Sequence, residues 1–268
     1  MLAMQMTAPP PEQLHATLAR CFAARMTPEQ LAALVDDLAA ELHRPATSDR
    51  APLSRAVVSL ALWKLAEHQL ASAARPPATL TALLPAVFGC SLDELACLRG
   101  MRTHPWQVLA RDYGILDYAV RADAEWCELA LVVDCRLNDM PDVFDAQRWA
   151  TCAALFWGDV RRTRSDADRV ELTATLRLPT SSRGTAVPVQ VTVARGATPF
   201  QRHAEVTVTS LDRQTSLDCV AHLTAETPRG GAWTTRVTQR KALRSGGPMS
   251  GLLPYWTQAE TLCLALAV

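Results

Sequence analysis

The chain has 268 residues, of which 49% are hydrophobic and 20% charged, as is usual for a globular protein with a substantial core. Its 27 basic and 27 acidic residues cancel to a net charge of zero, which argues against a nucleic-acid partner because such partners need a concentrated basic face. No apolar run approaches the length of a membrane span, and residues 1–13 lack the charged and apolar segments of a signal peptide, so we expect neither membrane insertion nor secretion.

Residues 1–11, rich in Pro and Met, predict a flexible tail. Residues 12–121 then carry helical patterns. Thr27, Pro28 and Gln30 predict a helix start with a capping box, and leucines recur behind it at helical spacing. The predicted helical segments lie near 12–25, 28–42, 53–74, 80–87, 91–100 and 105–120, the last broken near Gly114. We therefore predict a bundle of five or six helices over 12–121.

From Trp126 the pattern changes to a period of two. Apolar side chains alternate with polar ones in "EWCELALVVDC", which is typical of a strand with one buried face. "RVELTATLRL" and "AVPVQVTVAR" alternate in the same way and are joined by "PTSSRG", so they predict a hairpin. "AEVTVTSLD" and "TSLDCVAHLTAE" predict a second hairpin, and "AWTTRVTQR" a further strand.

Two segments complete the predicted β region. Residues 141–168 include an apolar stretch that fits either a helix or an insertion, and the pattern does not choose between them. Thr257 and Glu260 have capping-box spacing and predict a short apolar helix at the C-terminal end. The fold class is therefore α+β: a helical bundle domain over 12–121, then an antiparallel β domain with insertions and a short terminal helix over 122–268.

The sequence offers little that predicts chemistry. The eight cysteines include no C-x-x-C pair and the six histidines no H-x-x-x-H pair, so we predict no metal and no cofactor. Nucleophile-elbow and phosphate-loop motifs are absent, so we predict no catalytic residues and no small-molecule substrate. Cysteines placed on apolar faces fit a reduced, cytoplasmic setting.

The order of parts resembles the COMM-domain-containing proteins. Three pieces match in order: the helices within 57–98, "EWCELALVVDC" in the place of the family's first strand, and "VELTATLRLPTSSRGTAVPVQVTV" in the place of its following hairpin. Together they cover about half the chain. Two departures are that Cys127 stands where the family has Arg and Leu129 where it has Asp, and that the β half has about twice the usual length.

The resemblance implies assembly rather than catalysis. Family members pair through their C-terminal domains and join the Commander complex of endosomal recycling, so the expected partners are COMM-type subunits or a second copy of the chain, in the cytoplasm or at endosomes. A small sheet with one short helix is expected to need a second copy to cover its apolar face. The expected partner interface consists of Trp126, Leu129, Leu131, Val133, Leu172, Leu176, Val189 and Val191.

Two other interpretations remain open at this point. The β half is long enough for a two-sheet sandwich, which predicts a monomeric adaptor of unrelated family. A hydrolase that uses Cys219 with His203 is the third possibility, because a catalytic Cys and His need not be close in sequence.

Overall fold

The computed structural model describes residues 11–22, 25–43, 51–100, 114–123, 125–140, 153, 156–178, 185–211, 217–229, 233–245 and 251–265. Outside these ranges lie residues 1–10 of the predicted tail, residues 105–113 of the last helical pattern, and residues 141–152 and 154–155 of the ambiguous segment.

Within the described ranges, five helices precede the strands: α1 (Pro11–Cys21), α2 (Pro28–Leu42), α3 (Ala51–Leu70), α4 (Ala78–Phe88) and α5 (Leu92–Gly100). The predicted capping box at the start of α2 is confirmed, because the Thr27 side chain accepts from the Gln30 backbone while the Gln30 side chain accepts from the Thr27 backbone. Helix α3 packs against α1, α2 and α5, and α2 also contacts α4. Their buried side chains are mainly leucines at helical spacing.

The part of the chain that the structure describes continues with eight antiparallel strands: β1 (Ile115–Ala122), β2 (Trp126–Val133), β3 (Trp157–Ser165), β4 (Arg169–Leu178), β5 (Thr185–Thr198), β6 (Gln201–Ser210), β7 (Asp218–Glu226) and β8 (Thr235–Ser245). They form one sheet in the order β1, β2, β8, β7, β6, β5, β4, β3. The α+β class, both predicted hairpins and the strand after Trp233 are confirmed. The described strands therefore do not form the two packed sheets of a sandwich.

Two strands were not predicted. The helical prediction for 115–120 is wrong, because this segment is β1; a bulge between Ile115 and Asp117 places buried Ile115 and Tyr118 three residues apart, which imitates helical spacing. Strand β3 lies within the segment that the sequence left open. Only its first residues, Trp157 and Gly158, are buried. Val160 is half-buried, and the remaining residues are exposed and rich in arginine, so no regular alternation marks the strand.

The C-terminal helix α6 (Leu253–Ala265) starts four residues earlier than Thr257. The predicted capping box is wrong here, because Thr257 lies inside the helix and both Thr257 and Glu260 are buried. Helix α6 contacts β2 and β8 on one side and α3 on the other. The Tyr255 ring also lies 5.1 Å from the Phe22 ring, next to the end of α1. Helix α6 is therefore the layer between the sheet and the N-terminal helices.

The sheet bends around α6. Trp157 on β3 and Lys241 on β8 both hydrogen-bond the Glu260 carboxylate, although five strand spacings separate β3 from β8 in the sheet order. In a flat sheet that separation would be about 24 Å, at roughly 4.8 Å per strand. The sheet must therefore be strongly curved, with its apolar face on the concave side. One connected hydrophobic core includes side chains from the N-terminal helices, the sheet and α6.

Within the described residues, no helix combines the length and the apolar character needed to cross a bilayer.

Gly89 ends α4 in the left-handed conformation, with φ of 67°. Gly89→Ala should lower the free energy of unfolding by about 1 kcal/mol, because a Cβ is strained at this φ. Gly251→Ala is the matched control, since Gly251 has neither a positive φ nor an atom close to the added Cβ. Urea denaturation of both variants checks this prediction, which is contradicted if the two lose equal stability.

Candidate functional site

A buried polar cluster, which we call the Glu260 cluster, joins α6 to the concave face of the sheet. Lys241 donates to one carboxylate oxygen of Glu260, and the Gln239 amide donates to the same oxygen at 2.9 Å. The other carboxylate oxygen accepts from the indole N–H of Trp157 and, at 3.3 Å, from that of Trp256. The Lys241 ammonium also lies 3.9 Å from the centroid of the Trp256 ring. Four donors thus satisfy a carboxylate that is only 5% exposed.

Further hydrogen bonds extend this network along α6. The Thr261 hydroxyl can donate to two acceptors, the Gln239 side-chain oxygen and the Thr257 carbonyl. One turn away, the Tyr118 hydroxyl on β1 donates to the Gln258 side chain at 2.6 Å. Burial raises the pKa of Tyr118 well above its usual range, so this hydroxyl stays protonated as a donor. The network fixes the rotation of α6 relative to β1, β3 and β8.

The predicted partner interface is divided between the two faces of the sheet: Trp126 lies on the convex face, because it alternates with buried Cys127, and the other residues lie on the concave face. Seven of its eight residues are buried within the chain itself, all except Trp126. Trp126 is half-buried, and the Arg240 guanidinium stacks over its ring, with the guanidinium carbon 4.6 Å from the ring centroid. The premise that one short helix cannot cover the face is therefore wrong, because the curved sheet and the N-terminal helices enclose α6 from both sides. Contact of these residues with a partner stays a prediction.

The pairing of Cys219 with His203 is not formed. Cys219 lies opposite Val208 on β6, five residues along that strand from His203, which corresponds to about 17 Å. Cys219 is buried on the concave face, whereas His203 is exposed. Burial raises the pKa of the Cys219 thiol to about 12, which disfavours the nucleophilic thiolate. These two residues cannot act as one catalytic pair in this fold.

Large exposed apolar side chains gather at one end of the sheet. Val133 at the end of β2 lies opposite Ile115 on β1 and Thr235 on β8, so the segments that contain Leu116, Arg136 and Trp233 meet there. The Arg136 guanidinium stacks 3.3 Å from the centroid of the Trp233 ring. Trp233 is 66% exposed and Leu116 44%.

The turn between β5 and β6 reaches the same end of the sheet. Its Phe200 is 74% exposed, and its carbonyl accepts from Thr227 just after β7. From β1 to β6 this end spans four strand spacings, or about 20 Å. We call the four side chains Leu116, Arg136, Phe200 and Trp233 the Trp233 surface.

A pocket of about 430 Å³ lies beside Phe200, between the β3–β4 turn and the β5–β6 hairpin. Its walls include Asp168, Arg195, Gly196, Arg202 and His203. Gly196 pairs with His203 across the two strands, and a Cβ at position 196 would collide with the imidazole ring. Only glycine at this position leaves room for His203 as it stands. We call this the Arg195–Arg202 pocket.

Sequence reasoning missed each of these features for a physical reason. Glu260 follows Thr257 at the spacing of a capping box, so it reads as a surface residue. Lys241 gave a usable signal: Val237, Gln239 and Lys241 alternate on the buried face of β8, and lysine occurs at only one other position, Lys64. In the sequence, Trp233 comes shortly after two glycines that predict a turn, and its exposure depends on the sheet order, which the sequence pattern does not give.

Within the described ranges, no three His, Cys, Asp or Glu side chains are grouped as a metal site requires. No protein-family model matches the chain, and no curated protein matches it.

The two lysines form a matched pair for measuring what the Glu260 cluster contributes. Lys241→Met should destabilise the chain by about 3–5 kcal/mol, because it leaves a buried carboxylate without its countercharge. Lys64→Met removes the partly exposed ion pair with Glu67 and should cost less than about 1 kcal/mol. Denaturant unfolding of both variants measures the difference. Equal losses would contradict a structural role for the buried pair.

The cysteines should separate by reactivity. Desolvation raises the pKa of Cys21 and of Cys219 to about 12, so almost no thiolate forms at pH 8, and both thiols are also shielded from reagent. Cys97 is exposed and should react with iodoacetamide first. Mass spectrometry of the alkylated native chain gives the order. Early modification of Cys219 would show that the concave face is open in solution.

Proposed function

We propose that the chain is a non-catalytic assembly subunit that binds a protein partner through the Trp233 surface. The observation that carries the proposal is the stack of Arg136 on an exposed Trp233 at the same end of the sheet as exposed Phe200. Tryptophan and arginine are enriched among the residues that dominate binding energy in protein interfaces. Exposed large apolar side chains grouped together also mark interaction surfaces.

The segments that carry this surface are anchored to the sheet. The Thr235 hydroxyl donates to the Cys135 carbonyl at 2.7 Å, which ties the start of β8 to the segment that holds Arg136. The Asp134 N–H donates to the Gly114 carbonyl at 2.8 Å, which ties that segment to the start of β1. Binding to such a surface costs less conformational entropy than ordering free loops would.

The resemblance to COMM-domain proteins supplies a candidate for the partner. It implies COMM-type subunits or a second copy of the chain and an endosome-associated role, and these stay predictions. A separate helical domain also stays a prediction, although its predicted range of 12–121 includes most of β1. In the sheet, β8, β7 and β6 separate β2 from the β4–β5 hairpin, so two of the pieces that carry the resemblance are not neighbours. The Trp233 surface would serve a partner of either kind.

Site-specific photo-cross-linking tests the proposal. Benzoylphenylalanine replaces Trp233 or Phe200 in turn, and the variants are irradiated in the cells that make the protein. We expect both positions to yield the same discrete adduct with one protein, because both side chains lie on one contact surface. Mass spectrometry identifies the adduct.

Leu211 is the matched control position. It is 54% exposed but follows β6 at the opposite end of the sheet from Phe200. The adduct should be missing when the photoreactive residue stands at 211. An identical pattern at all three positions, or no adduct at 200 and 233, would refute the proposed contact surface.

The purified partner then allows a measurement of affinity. Trp233→Ala should weaken binding by about 30-fold, the loss that corresponds to a hot-spot residue of about 2 kcal/mol. The free energy of unfolding should stay within about 0.5 kcal/mol of the natural chain, since the side chain is mostly exposed. Isothermal titration calorimetry measures the affinity. Unchanged affinity would remove Trp233 from the interface.

A further inference from the structure

We propose that the Arg195–Arg202 pocket binds a carboxylate carried by an acidic segment of the partner, next to the contact at Phe200. This inference rests on the proposed function for its partner, but the pocket itself can be tested without one.

The sheet register places the two arginines on one face of the β5–β6 hairpin. Arg195 lies opposite Ala204, and Arg202 lies opposite Ala197, with no bulge between these pairs. The two arginines are therefore diagonal neighbours across the strands, with Cβ atoms roughly 7 Å apart. Guanidinium groups at that spacing can reach the same carboxylate, and the fork of each matches two carboxylate oxygens.

The walls of the pocket are held in place by hydrogen bonds. The Arg195 backbone N–H donates to the Asp168 carbonyl at 2.7 Å, which ties the β3–β4 turn to β5. The Arg202 side chain donates to the Met140 carbonyl at 3.4 Å, and both arginines are half-buried. Ordered arginines lose less entropy on binding an anion than freely solvated ones.

The charges of the pocket favour a singly charged anion. The lining includes two arginines and one acidic residue, Asp168, so it carries a net charge of +1 before His203 is counted. A carboxylate neutralises this charge, whereas a phosphate dianion would exceed it. We therefore assign the ligand as a carboxylate rather than a phosphate.

The neighbour of the pocket indicates that the carboxylate belongs to a peptide segment. Phe200 lies two residues from Arg202 in the chain and is 74% exposed. A ligand held by both features needs an acidic group next to an apolar one, as a protein segment provides. A free small anion would use the arginines and leave Phe200 in water.

The experiment uses the full chain labelled with ¹⁵N and three probes. The first is the peptide acetyl-GGEFGG-amide, which carries one carboxylate, the second its uncharged counterpart acetyl-GGQFGG-amide, and the third inorganic phosphate. We expect the glutamate peptide to shift the amide signals of Gly196 and Ala197 and the side-chain N–H signals of both arginines, saturably. The glutamine peptide should leave these signals unmoved.

Three variants test whether the arginines cause the binding. Arg195→Gln/Arg202→Gln should weaken the glutamate peptide by at least about tenfold, because two charge-assisted contacts are lost. Asp168→Asn should tighten binding by about two- to threefold, since it removes a like charge. Arg244→Gln is the control: it alters an exposed arginine at the opposite end of β8 and should leave the affinity unchanged.

Two results would overturn the inference. One is tighter binding of phosphate than of the glutamate peptide, which would assign the pocket to a different anion. The other is equal affinity of the natural chain and the double arginine variant. Carboxylate binding here without a cross-linked partner at 200 and 233 would refute the proposed function and leave the pocket standing. A cross-linked partner with no peptide binding would refute the pocket and leave the proposed function standing.

Discussion

The rest of the structure depends on the carboxylate of Glu260. It lies on a buried helix and accepts hydrogen bonds from β3, from β8 and from α6 itself, so it holds together strands that are far apart in the sheet order. An ion pair buried this deeply adds little net stability, because both charges lose their hydration. The buried ion pair instead specifies the orientation of α6. The apolar contacts of α6 tolerate small rotations of the helix, whereas a carboxylate with four hydrogen-bond donors does not. We infer that the cluster sets the position of α6 and, through it, the curvature of the sheet.

This constraint determines which surfaces remain for binding. Because α6 fills the concave face, the apolar residues of the sheet contribute to the core of the chain itself. The exposed residues of types that are common in binding sites lie at the ends of the strands, in the segments around Arg136, Phe200 and Trp233. A sheet held rigidly by its own helix is a suitable base for such segments, as binding residues are commonly placed on loops that a stable scaffold positions. The proposed contact surface and the carboxylate pocket lie side by side at this end.

The sequence predicted those parts of the fold that depend on regular local patterns. Strands β4 and β5 alternate without a bulge over their whole paired length, so their hairpin was visible. Strand β1 was not visible, because its bulge sets Ile115 and Tyr118 at helical spacing. Strand β3 was not visible either, because only its first two residues, Trp157 and Gly158, are buried and mostly polar residues follow them. The spacing of Thr257 and Glu260 predicted a helix start, and only the sheet order shows that Glu260 faces β3 and β8. The Trp233 surface also depends on which strand ends meet, which no local pattern encodes.

Hydrogen exchange of α6 in the free chain tests most directly whether the concave face is covered by the chain itself. The measurement is made by NMR at a concentration where light scattering gives the mass of one chain. We predict that the α6 amides exchange only by global unfolding, with an opening free energy within about 1 kcal/mol of the total stability. Rapid exchange of α6 in the monomer, with protection restored only on dimerisation, would contradict it. That result would indicate that a partner, and not α6 alone, covers the concave face.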